Sequence, residues 1–124
     1  MLENNSRDPE AYRIRGYAYE IIEDYESALE NYNKLLEFNL YEDLAYSQIG
    51  HVYDLMGDKE KAFTNYSKAL EINPTLDIAL MNIGRYFFYE NDYPKARENL
   101  LKSIEVSSLS ALKSHSFQVL GEIE

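Results

Sequence analysis

The sequence predicts an all-α chain: a stack of three helical hairpins followed by a C-terminal helix. Three observations lead there. Short blocks recur every 34 residues, as NYNKLLEFNL from Asn31, NYSKALEINP from Asn65 and, more loosely, NLLKSIEVSS from Asn99. Gly16, Gly50 and Gly84 recur at the same spacing, each inside an apolar pattern of helical period. Between these segments, IEDYESA, MGDKEKA and ENDYPKA interrupt the pattern with residues suited to ending one helix and starting the next. A unit of this length cannot bury its apolar face alone, so neighbours must stack.

The first helix of each hairpin is organised around its glycine, where a missing side chain lets another helix approach closely. Tyr12, Tyr46 or Leu80 stands four residues before it, and Tyr19, Tyr53 or Phe87 three after, which keeps one face apolar. Asp24, Asp58 and Asp92 then fall where a side chain can cap a second helix. Glu26 and Glu60 suit that helix's dipole, and Pro94 takes an early position where a missing N–H costs little. The second helices carry Ala28, Ala62 and Ala96, then Tyr32, Tyr66 and Leu100, then Leu36, Leu70 and Ile104 as their apolar face.

The expected layout is a lead-in over 1–8, hairpins over 9–42, 43–76 and 77–110, and a last element over 111–124. In that last element Phe117, Leu120 and Gly121 match Tyr46, Ile49 and Gly50. Gly121 follows Gly84 by 37 residues. A longer turn through VSSLSALKSH is therefore expected, then a helix that covers the third hairpin as a cap or as part of a fourth repeat.

The composition restricts function. With 22 Asp and Glu against 12 Lys and Arg, the net charge of -10 repels nucleic acid phosphates and anionic membranes. Glu20, Glu23, Asp24, Glu26, Glu30, Glu37, Glu42 and Asp43 face only Lys34 in one stretch, which reads as a solvated face or as a docking patch for a basic partner. There is no cysteine, hence no disulfide and no thiolate metal site. No apolar run reaches the roughly 20 residues of a membrane span. The polar start MLENNSRDPE lacks the core of a signal peptide, so a cytoplasmic location is the default, with a removed leader left open.

In the second unit, Tyr46, Ile49, Gly50, Tyr53, Ala62, Tyr66, Ala69 and Pro74 stand at offsets that resemble the tetratricopeptide repeat (TPR). The first unit departs from that pattern at Arg15 and Leu40, the third at Ser103 and Ser108. The resemblance implies a right-handed superhelical α-solenoid of three TPR hairpins plus a C-terminal helix. It also implies a protein–protein interaction module that binds a peptide or helix of a partner in the concave groove. The alternative is a structural or self-associating segment of a longer TPR array.

In such a stack the first helices line the concave surface, which places Tyr17, His51 and Arg85 in its central column. Arg13 and Met81 lie one turn before, Tyr89 one turn after, Gln48, Asn82 and Phe88 beside them, and Tyr41 in a turn between hairpins. Aromatics, Met and Arg are the types enriched at interface cores. The remaining tyrosines at 12, 19, 25, 32, 46, 53, 66 and 93 occupy repeat columns and are expected to pack, as is Tyr86. Tyr17 and Tyr89 could also simply pack between helices.

Some family members clamp a chaperone's acidic tail with Lys, Arg and Asn. The matching positions are Arg13, Tyr17, Gln48, Ile78 and Asn82, or, one repeat on, Ser47, His51, Asn82, His115 and Val119. Neither set brings enough donors and cations to bind a terminal carboxylate that way. His51 and Asp54 share a helix face, but no third metal ligand or nucleophile–base pair accompanies them. No cofactor, no metal and no catalysis are expected.

Overall fold

The computed structural model describes residues 8–123, with side chains as far as Ser108. Its described residues form six helices and no strand: α1 Pro9–Ile21, α2 Tyr25–Leu36, α3 Glu42–Leu55, α4 Lys59–Ile72, α5 Asp77–Tyr89 and α6 Tyr93–Ile123. They fall into two units, one ending at Pro74 and holding α1 to α4, the other beginning at Thr75 and holding α5 and α6.

Each hairpin turn uses the same backbone device. Glu23, Gly57 and Asn91, spaced at the repeat, adopt left-handed φ values of 66°, 89° and 66°. The N–H groups of Asp24, Asp58 and Asp92 then donate to the carbonyls of Tyr19, Tyr53 and Phe87, each at 2.9 Å, closing the wide ring of a Schellman motif. The same three aspartates start the next helix. Asp24 accepts from the Ser27 N–H, Asp58 from Lys61 and Asp92 from Lys95. Asp8 caps α1 in the same manner, accepting from Glu10, with Pro9 at the first helical position.

In the first unit the glycines of α1 and α3 seat a tyrosine from the following helix. A Cβ on Gly16 would stand 2.5 Å from the Tyr32 ring, and one on Gly50 2.7 Å from Tyr66 and 3.0 Å from the Ala62 carbonyl. Ala28 and Ala62 are buried in the same contacts. Ala28 and Tyr32 join Ile49 and Val52 in a core where α3 closes over α2, with Tyr19, Tyr25, Leu29, Leu36 and Tyr53 around it. The side chain of Asn73 donates to Asp43 at 2.9 Å and ties the end of α4 to the start of α3.

The second unit repeats the plan. Gly84 lies against Leu100, at 2.7 Å from a would-be Cβ, and Ala79, Leu80, Ile83 and Ala96 are buried. Ser103 donates to the Asp77 carbonyl at 3.1 Å and Ser107 to the Asp77 carboxylate at 2.7 Å. Asp77 and Ser107 thus take the places of Asp43 and Asn73 one repeat on.

Three expectations need correction. The turn anticipated through VSSLSALKSH is absent, because α6 runs unbroken to Ile123. The second hairpin stops its helix at Asn73–Pro74, whereas Val106 to His115 contain neither Gly nor Pro, so no residue there is a strong helix breaker. No separate helix begins at 111, and the match to a new first helix at Phe117 to Gly121 has side chains outside the described residues. Second, the second helices also bury Leu35, Ala69 and Ser103, and of the residues expected on that face Leu36 packs against the core whereas Ile104 is 61% exposed. Third, Tyr93, expected to pack, is exposed.

Candidate functional site

A cleft of about 350 Å³ opens in the first unit between α1 and α3, lined by Arg13, Ile14, Tyr17, Leu44 and Gln48. Ile14, Tyr17 and Leu44 are exposed there, so the cleft offers apolar and aromatic surface with polar groups at its edge. The lining follows from helical spacing: Arg13 and Tyr17 are one turn apart on α1, as Leu44 and Gln48 are on α3. Arg13 donates from Nε to Glu10 at 3.0 Å, and its Nη2 pairs with the same carboxylate. That hydrogen-bonded guanidinium holds the Glu10 carboxyl below the usual carboxylate range. Open to water, the pair fixes the direction of Arg13 more than it stabilises the fold.

Beneath the cleft runs a polar network that joins all of the first three helices. Glu20, at the end of α1, is only 7% exposed. It accepts from the Tyr32 hydroxyl at 2.8 Å and, on its other oxygen, from the ring Nδ1 of His51 at 2.6 Å. Gln48 donates to the Tyr32 hydroxyl at 3.1 Å. Burial, and then the hydrogen bond to Glu20, push the Tyr32 phenol well above the ordinary tyrosine range. Glu20 is therefore a correction to the reading of its stretch as a solvated acidic face. Charge counting alone could not find it, although its position three residues before the turn, on the face of Gly16, was a signal.

Of the ten residues expected to contact a partner, Arg13, Tyr17 and Gln48 meet in this cleft. His51 is half-buried and turned to Glu20. Tyr41 is exposed and precedes α3 in a left-handed conformation, with φ of 58°. In the second unit Met81, Arg85 and Tyr89 are exposed on α5. Asn82 is a correction: it is 5% exposed, and its side-chain oxygen accepts from Arg85 Nη2 at 2.9 Å, so it orients Arg85 from below. Phe88 is exposed but faces α6, edge-on to Tyr93 at 5.8 Å between ring centroids. Ile14 and Leu44 were missed because isolated exposed aliphatics carry no signal without the neighbouring helix.

His51 and Asp54, the one candidate ligand pair, are separately engaged, Asp54 with the Lys59 ammonium at 2.6 Å. Among the described residues no three His, Asp or Glu side chains gather as a metal site, and no helix is long and apolar enough to cross a membrane. Arg15, an apolar position in the resemblance, instead stacks over the Tyr12 ring at 4.6 Å and reaches Asn31 at 3.3 Å.

Comparison with known proteins agrees with this architecture. Tetratricopeptide repeat family models match residues 9–40 and 44–76, together just over half of the chain. No curated protein matches it. Among solved structures, that of MamA is 28% identical with a TM-score of 0.75, covering 86% of this chain and 62% of MamA, so the chain spans about three fifths of that relative. The TPR2B domain of yeast Sti1, in complex with pHsp70, is 18% identical with a TM-score of 0.75 over 90% of this chain and 89% of the domain. The second TPR of Spaghetti (RPAP3), bound to an HSP90 peptide, is 15% identical with a TM-score of 0.72 over 85% and 97%. The tandem family matches, together with a glycine-centred hairpin repeated three times, show that the chain belongs to the tetratricopeptide repeat family.

Proposed function

We propose that the chain is a non-catalytic protein-interaction module, and that the cleft between α1 and α3 anchors a peptide or helix of its partner. The observation that supports this reading is the convergence of Arg13, Tyr17 and Gln48 with the exposed Ile14 and Leu44. Such a cleft suits a single apolar anchor, with Arg13 and Gln48 placed to hydrogen-bond the partner's backbone or an adjacent polar side chain. The network below it keeps Gln48 in place, so little ordering cost falls on binding. In the second unit the same reading assigns partner contacts to Met81, Arg85 and Tyr89, and in the first to Tyr41 and the exposed edge of His51. The solved neighbours that hold chaperone peptides support a peptide-binding use of the fold, while the residues here differ from a carboxylate clamp.

The test is affinity capture with the native chain and with an Ile14→Ala, Tyr17→Ala, Leu44→Ala variant of verified helicity. A protein retained by the first and lost by the second is the expected outcome. Equal capture by both would refute the cleft as the binding site.

A further inference from the structure

The cleft between α1 and α3 continues into a longer apolar strip. On α1, Ile14, Tyr17 and Ile21 share one face and are all exposed. On α3, the exposed Leu44 and Leu55 share a face with Gln48 and His51. The two rows run in step: Arg13 and Leu44 meet in the cleft, and two turns on His51 reaches Glu20 at 2.6 Å. At a rise of about 1.5 Å per residue, Ile14 and Ile21 stand roughly 10 Å apart. The strip can therefore seat two apolar anchors of one helical or extended segment.

The unit that holds this strip also holds most of the chain's charge. Up to Pro74 there are 15 Asp and Glu against 7 Lys and Arg, and from Thr75 on 7 against 5. From Arg13 to Lys68, each cation of the first unit already lies beside a carboxylate or a tyrosine ring. Arg13, the one cation in the cleft lining, is neutralised by Glu10. By contrast, Glu42, two residues before Leu44, and Glu23, two after Ile21, meet no cation among the described residues. They stand at opposite ends of the strip, since Glu42 opens α3 and Glu23 follows the end of α1.

We propose, on the reading that this cleft anchors the partner, that the partner supplies a basic amphipathic segment. Its apolar side chains lie along Ile14, Tyr17 and Leu44, and Lys or Arg on either side of them reach toward Glu42 and Glu23. Complementary charge speeds the encounter and rejects wrong partners. A segment with acidic flanks meets the same two carboxylates as repulsion.

Selection from a random peptide display library on the immobilised native chain, with Tyr17→Ala run in parallel, tests this. Peptides enriched on the native chain and lost on Tyr17→Ala are expected to carry Lys or Arg on both sides of aliphatic or aromatic anchors. A synthetic peptide of the enriched sequence is expected to bind about tenfold more weakly when salt is raised from about 50 to about 500 mM. Its affinity should fall about tenfold on Glu23→Gln with Glu42→Gln, at unchanged helicity, and hold on Glu60→Gln with Glu71→Gln, at exposed positions of α4. Neutral or acidic peptides that depend on Tyr17, or an affinity indifferent to salt and to Glu23→Gln with Glu42→Gln, would overturn the basic partner and leave the cleft in place. Enriched peptides retained by Tyr17→Ala, or no enrichment on the native chain, would overturn the cleft as the anchor and the basic partner with it.

Discussion

Replacing the three repeat glycines by alanine separates two opposing effects. Alanine in a helix interior gains about 1 kcal/mol over glycine from its helix propensity. Overpacking a filled core costs about 1–3 kcal/mol. At Gly16 the new methyl would meet the Tyr32 ring at 2.5 Å, and that ring is fully buried and held at its hydroxyl by Glu20 and Gln48. At Gly50 it would meet Tyr66, 1% exposed, and a backbone carbonyl behind it. Neither wall yields readily, so a net loss of up to about 2 kcal/mol is expected at each. At Gly84 the neighbour is Leu100, half-buried and able to change rotamer, so the two effects should nearly cancel. Urea unfolding followed by circular dichroism reads the difference, and Tyr66→Leu should recover part of the loss from Gly50→Ala because the two changes share one contact. If Gly16→Ala and Gly50→Ala were stabilising by the full helix-propensity gain, the close-approach role of these glycines would be refuted.

Three further outcomes are expected. Tyr32 has its pKa raised by folding, so the unfolded chain ionises first. The stability held below pH about 10 should fall as pH rises beyond it, more steeply in the native chain than in Tyr32→Phe, as urea midpoints at neutral and alkaline pH would show. His51→Ala leaves the buried Glu20 carboxylate with the Tyr32 hydroxyl alone. Because His51 is partly open to water, the cost should be about 1–2 kcal/mol, below the 3–5 kcal/mol of breaking a wholly buried pair. At the left-handed turn positions, Gly57→Ala should destabilise by about 1 kcal/mol while Glu23→Gly should not, since only the second relieves a left-handed side chain; a reversed order in thermal melts would contradict the turn geometry.

The hairpins were legible because their signals are local and repeated. A cap at Asp24, Asp58 and Asp92, a small residue at Ala28, Ala62 and Ala96, and a glycine facing a large side chain all lie within one unit of spacing. The third unit's end was not legible, because Gly121 in a near-repeat invited a turn that the intervening residues do not enforce. Ser107 takes the tie to Asp77 that Asn73 makes to Asp43, but without a following proline the helix continues. The candidate site was legible in part. Helical spacing placed Arg13, Tyr17 and Gln48 on the same side, whereas the burial of Glu20 and Asn82 depends on which helix lies above them. Composition even pointed the wrong way for Glu20, since a run of acids averages to a solvated face and hides a single carboxylate that a histidine and a tyrosine hold inside.

The most direct measurement takes a peptide selected from a random display library on the immobilised chain and titrates it into the isotope-labelled protein by heteronuclear NMR. The expected result is saturable shifts concentrated at Arg13, Ile14, Tyr17, Leu44 and Gln48, abolished by Tyr17→Ala. Shifts confined to α2 and α4, or binding unchanged by Tyr17→Ala, would contradict the assignment of the cleft as the recognition site.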